Sequence, residues 1–96
     1  MYSVIETEEF SEWLTQLKDR TTRARLVARL VKVRLGNLGD VKPVGEGVFE
    51  MREFFGPGWR LYYVEHSGAF IFMLGGGDKS SQPRDIEQAI QLAKEL

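Results

Sequence analysis

The chain of 96 residues contains no cysteine and one histidine, so the groups available for chemistry are mainly guanidinium, ammonium, carboxylate and phenol, with a single imidazole. The cationic residues that stand out are Arg52, Arg60, Lys79 and Arg84, with Lys42 near an edge. Arg52 lies in Phe49-Glu50-Met51-Arg52-Glu53, and Arg60 follows Trp59 directly after Gly56-Pro57-Gly58. If both segments are strands, alternation puts Glu50, Arg52 and Phe54 on one face and Arg60, Tyr62 and Val64 on one face. Guanidinium groups among aromatic rings suit a site that grips a phosphate and stacks a base. The same residues equally suit sheet-surface ion pairs with Glu50, Glu53 or Glu65. Lys79, within Asp78-Lys79-Ser80-Ser81-Gln82, can face a phosphate, whereas Ser80 and Ser81 are explained by helix capping alone. His66 is the residue type best suited to general-base work near neutral pH. It falls in a His66-Ser67-Gly68 turn, however, where an exposed polar side chain needs no function.

Several chemistries are excluded by spacing. Leu74-Gly75-Gly76-Gly77-Asp78-Lys79-Ser80 lacks the glycine that a phosphate-binding loop places directly before its lysine. Gly45-Glu46-Gly47 fails the dinucleotide fingerprint, because the sixth residue of that run is Glu50. No serine-hydrolase elbow, zinc-protease or calcium-loop pattern occurs. Without cysteines there is no disulfide framework and no cysteine-based metal site, and no metal or cofactor is expected. Hydrophobic residues at 43% and charged residues at 28% give a globular composition that excludes disorder. The length suits a single domain over residues 1–96. No apolar run is long enough to span a bilayer, and the acidic start MYSVIETEEF carries no signal-peptide core, so a cytoplasmic protein is expected.

Net charge is −1, but its distribution is uneven. Glu6, Glu8, Glu9 and Glu12 open the chain, whereas Lys18, Arg20, Arg23, Arg25, Arg29, Lys32 and Arg34 are opposed only by Asp19. Such a segment is either a solvated helix face or a basic surface for a polyanion.

The elements that must position these residues follow from periodicity. Tyr2 to Ile5 reads as a strand. Phe10, Trp13, Leu14 and Leu17 form one stripe of a helix from about Glu8 to Lys18, with Thr7 as N-cap. After a break at residues 19–22, a second helix runs from Arg23 to Gly36-Asn37. Its apolar face is Leu26, Leu30 and Val33, with Arg25, Arg29 and Lys32 on another. So short a break makes the pair a helical hairpin. Val41 to Val44 reads as an edge segment because of Pro43. Val48 to Phe55, Trp59 to Glu65 and Ala69 to Leu74 form an antiparallel three-strand meander, with Gly75-Gly76-Gly77 ending the sheet. Pro83 then starts a C-terminal helix with Ile86, Ala89, Ile90 and Ala93 inward. The expected fold class is α+β, one layer of helix against a small sheet.

The blocks FSEWLTQLKDR, GNLGDVKPVGEGVFEMREFFGPGWRLYY and LGGGDKSSQPRDIEQAIQLAKEL, in this order, resemble the RelE/ParE toxin superfamily. They are similar in particular to its phage-related addiction-module killer branch, close to HigB-type toxins. The resemblance covers nearly the whole chain. It implies a RelE/ParE-like fold and a growth-inhibiting toxin of a type II toxin–antitoxin pair. The implied activity is that of a ribosome-dependent, metal-independent endoribonuclease that cleaves mRNA. The alternative is a ParE-like inhibitor of DNA gyrase with no nuclease function. A HigA-like helix-turn-helix antitoxin is the implied partner, with operator DNA contacted only through it. Carried over by position, Arg60 would stabilise the phosphate, Arg52 and Lys79 would assist, and Glu50 would move a proton. Arg23, Arg25, Arg29, Lys32 and Tyr62 would hold RNA or the ribosome. The chain departs from the family pattern in having no aromatic residue after Phe72 and no histidine besides His66.

Overall fold

Residues 1–96 are all described in this structure, a computed structural model. Thr7 accepts a hydrogen bond from the Phe10 N–H and caps α1 (Glu8–Thr15), one turn shorter than its apolar stripe predicts. Asp19 caps α2 (Arg20–Arg34) through the Thr21 N–H and also accepts from the Thr22 hydroxyl. Helix α2 therefore starts three residues earlier than expected, because an aspartate is a stronger cap than the threonines that follow. It ends in a Schellman motif: Gly36 N–H donates to Val33 O and Asn37 N–H to Lys32 O, with Gly36 at φ 99°.

Five strands form one sheet in the order β1-β5-β4-β3-β2, with β1 (Ser3–Glu6), β2 (Val41–Gly45), β3 (Val48–Arg52), β4 (Arg60–His66) and β5 (Phe70–Gly77). Strand β1 runs parallel to β5, and the other pairings are antiparallel. The expected meander thus gains a fourth strand in β2, on the sheet edge where Pro43 is tolerated. Gly75, Gly76 and Gly77 do not end the sheet. They continue β5 and pair with Tyr62, Leu61 and Arg60. Side chains are excluded there because a Cβ on Gly76 would lie 2.4 Å from the Trp13 ring, and one on Gly77 2.0 Å from Asp85 Oδ2.

Alternation along β3 and β4 supplies apolar residues to both faces, so the helices divide into two layers and not the single one expected. Met51, Leu61, Tyr63, Ile71 and Met73 meet Phe10 and Leu14 of α1 and Leu26, Leu30 and Val33 of α2. Val48, Tyr62, Val64 and Leu74 meet Ala89 of α3 (Gln82–Ala93) on the opposite face.

Candidate functional site

The register settles which charged residues are neighbours. Glu50 pairs across the strands with Tyr62, and Arg52 with Arg60, so all four stand on the α3 face. Arg60 is 4% exposed and Glu50 is 3% exposed. Arg60 Nη1 donates to Glu53 O at 3.1 Å and to Trp59 O at 3.0 Å. Its Nε is buried without a hydrogen-bond partner. The nearest acid, Glu50, holds an oxygen 3.9 Å from that nitrogen, close enough for charge attraction and too far for a hydrogen bond. Leaving a guanidinium nitrogen buried and unpaired costs about 1–3 kcal/mol.

The first turn of α3 closes over this pair. Gln82 Nε2 donates to Glu50 Oε2 at 2.8 Å, and Ser81 Oγ donates to Asp85 Oδ2 at 2.5 Å. Tyr62, fully buried among Glu50, Asp85, Gln82 and Arg60, has its phenol pushed up to about 12, first by burial and then by the two carboxylates. Its hydroxyl is a proton holder at any physiological pH.

The Gly56-Pro57-Gly58 turn brings in the lysine. A Cβ on Gly58 (φ 82°) would lie 2.6 Å from Lys79 Cδ and 3.6 Å from Arg60 Nη1, so the exposed Lys79 stem crosses the glycine beside Arg60. Asp78 organises this corner. Its carboxylate accepts from the Ser80 N–H and hydroxyl, and these bonds pull its pKa down. Asp78, and not Ser80 or Ser81, is the capping side chain. Arg52 pairs with Asp40 at 3.2 Å and stays partly open.

Phe54 is the residue that sequence reasoning placed on this face without assigning a role. It is 73% exposed, with Arg52 Cζ 5.7 Å and Arg60 Cζ 5.8 Å from its ring centroid. A large ring in water beside two guanidinium groups is a stacking surface with cations close by. The available signal was its position two residues beyond Arg52, in register with Glu50.

Two of the expected binding residues are corrected. Arg29 is 8% exposed and bound to Glu53 and to the carbonyls of Leu38, Asp40 and Arg52. Arg29 gathers the Leu38 and Asp40 carbonyls that follow α2 and the Arg52 carbonyl at the end of β3, so it offers nothing to RNA. Tyr62 is fully buried and cannot stack on a base. The remaining cations of α2 stand on the other side of the sheet from Arg60. Arg23 donates to Leu17 O at 2.6 Å, Arg25 lies 3.8 Å over the Phe55 ring, and Lys32 is exposed. His66 packs on Phe72 at the far end of β4, about 20 Å along the strand from Arg60.

No three histidine, aspartate or glutamate side chains converge as metal ligands would. A groove runs along Gly75–Gly77 between Trp13 and α3, where Glu9, Asp85, Glu87 and Glu95 outnumber Arg84. That balance disfavours a polyanion there, and the Arg60 corner is the better candidate.

A protein of Haemophilus influenzae (strain Rd), itself described as uncharacterized, is 43% identical over 90 residues, which is 94% of this chain and 91% of that protein. The chain belongs to the family of that protein. No protein-family model matches. Among solved structures, a chain in the intact E. coli RelBE toxin–antitoxin complex is similar with a TM-score of 0.66 at 21% identity, over 81% of this chain and 96% of that one. The likeness establishes a RelE-like α+β fold, as the sequence blocks imply. No helix of the family member described here is long and apolar enough to cross a membrane.

Proposed function

We propose that the protein is the toxin of a type II toxin–antitoxin pair and that it cleaves messenger RNA at the ribosome without a metal. The observation that carries this reading is Arg60, a buried guanidinium with a free Nε, beside Glu50 and rimmed by Lys79, Arg52 and the exposed Phe54. In the proposed reaction, the ribose 2′-hydroxyl gives its proton to Glu50 and its oxygen attacks the adjacent phosphorus. The bond to the 5′-oxygen breaks, that oxygen takes a proton from solvent, and a 2′,3′-cyclic phosphate remains. Arg60, assisted by Lys79 and Arg52, balances the charge that gathers on the phosphorane. Phe54 stacks a neighbouring base. Arg23, Arg25 and Lys32 contact ribosomal RNA phosphates, which position without reading sequence.

The likeness to a chain of a toxin–antitoxin complex supports an antitoxin partner. We assign that partner to the HigA-like helix-turn-helix type, with operator DNA reached only through it and the toxin acting in the cytoplasm. One observation favours a second reading: α3 covers Glu50 and Arg60, as in a protein that keeps the pair only for structure and inhibits DNA gyrase by binding. Primer extension on cellular transcripts minutes after induction separates the two. Cuts inside translated frames that vanish when ribosomes are kept off the message support the nuclease. Growth arrest with intact transcripts rejects it in favour of gyrase inhibition.

A further inference from the structure

Glu50 and Arg60 carry opposite charges in a buried site, yet they do not touch. Glu50 Oε2 stands 3.9 Å from Arg60 Nε, where a charge-assisted hydrogen bond would close to about 2.8 Å. Attraction between two charges so near and so far from water is strong, and something must hold them apart. Arg60 is held from its own side, because Nη1 donates to Glu53 O and Trp59 O. Glu50 is held by Gln82, whose Nε2 donates to the same Oε2 at 2.8 Å. The other groups around Glu50 do not do this. Asp85 carries the same charge and is bonded by Ser81, and the Tyr62 hydroxyl has no hydrogen-bond partner. Lys42, opposite Glu50 on β2, is exposed.

Gln82 suits this task by place and by chemistry. It is the first residue of α3, directly before Pro83, and the short turn Lys79–Ser81 capped by Asp78 delivers it to the sheet. An amide is neutral, so it holds a carboxylate without adding a charge that competes with Arg60. It bonds Oε2 alone, which leaves the second oxygen to accept a proton.

We propose that Gln82 is a positioning residue that keeps Glu50 from closing onto Arg60, so that base and cation both stay available to RNA. Without it, the carboxylate moves about 1 Å and bonds Arg60 Nε, filling the free donor and occupying the base together. The inference rests on the proposed function for what the pair does to RNA. The separation itself belongs to the fold and is read without RNA. A glutamine that only ties α3 to the sheet predicts something different: activity would then fall only as far as stability falls.

The test follows two readouts in the full-length protein, the Arg60 Nε–H proton resonance and transcript cleavage in a translating extract. In Gln82→Leu the Nε proton is expected to move downfield as it bonds Glu50. Adding Gln82→Leu to Glu50→Gln is expected to move it no further, because the carboxylate it would bond is gone. Cleavage by Gln82→Leu is expected to fall about 100-fold at a nearly unchanged unfolding midpoint. The loss falls on the rate at saturating ribosomes and leaves the half-saturating ribosome concentration as it was, since Gln82 acts through Glu50. Gln82→Ala takes the place of Gln82→Leu should that protein fail to fold. The proposal is overturned if the Nε proton stays where it is in the wild type, or if the variant cuts as well as the wild type. It is also overturned if cleavage is lost only in step with the unfolding midpoint. A wild-type protein that cuts no transcript, while the Nε proton still moves in the variant, supports the separation and rejects the nuclease reading alone.

Discussion

Two arginines of this protein are buried to similar extents and are bonded in opposite ways. Arg29 on the α1–α2 side engages every nitrogen of its guanidinium, donating to carbonyls of Leu38, Asp40 and Arg52 and to the Glu53 carboxylate. Arg60 on the α3 side engages Nη1 alone, and its Nε faces Glu50 across 3.9 Å with no hydrogen bond. A saturated guanidinium fastens a fold. An unsaturated one retains capacity for an anion that arrives later. Burial by itself does not separate the two roles, and the count of satisfied donors does.

The contrast is sharpest under substitution. Arg29→Ala leaves Glu53 and the carbonyls without their partner, and the expected loss is about 3–5 kcal/mol in denaturant unfolding. Arg60→Ala removes an imperfectly paired group. Its expected effect falls on function, with transcript cleavage reduced about 100-fold or more in a protein that stays folded. The comparison breaks if Arg60→Ala unfolds the chain as severely as Arg29→Ala.

The two faces of β5 give a smaller pair of effects. Gly76→Ala drives a methyl into the Trp13 ring on one face, and Gly77→Ala drives one into Asp85 on the other. Each is expected to cost about 1–3 kcal/mol by overpacking, read as a lowered unfolding midpoint. Only Gly77→Ala, which displaces the Asp85 side chain near Tyr62, is expected to lower cleavage as well.

The phenols of β4 probe the same two faces through pH. Burial lifts both Tyr62 and Tyr63 from 10.0 to about 12. The folded protein therefore holds these protons where the unfolded chain releases them. Their contribution to stability is complete below about pH 10 and is lost as pH rises toward 12. Unfolding measured across that window should steepen its decline, and Tyr62→Phe or Tyr63→Phe should each flatten it. Phe54→Ala completes the series. Stability is expected to change by no more than about 0.5 kcal/mol, because the ring is in water. RNA cleavage is expected to drop about 5- to 100-fold if a base stacks there.

Much of this arrangement was legible in the residues. Alternation alone put Glu50 with Arg52 and Arg60 with Tyr62 on single faces, and turn chemistry placed Arg60 directly after the Gly56-Pro57-Gly58 bend. Strand register was not legible, because a meander can slip by two residues and keep every face. The pairing of Glu50 with Tyr62 therefore had to be seen. Arg29 misled for a related reason. Its helical spacing matches Arg25 and Lys32, and nothing local reveals that the carbonyls of Leu38 and Asp40 fold back onto it. The glycine run misled because a strand without side chains reads as a break until Trp13 and Asp85 are found against it.

The central claim is that the unsaturated Arg60 is where the protein acts on phosphate. It is tested most directly by mapping transcript cuts in cells that express the wild-type chain, Arg60→Ala or Arg60→Lys. The unfolding midpoint of each purified protein is measured alongside. The account predicts frequent cuts for the wild type and almost none for Arg60→Ala, at a midpoint lowered by the loss of Glu50's counter-charge but with the protein still folded. For Arg60→Lys it predicts partial activity, since an ammonium keeps the charge and loses the fork. A folded Arg60→Ala protein that cuts transcripts as well as the wild type would contradict it.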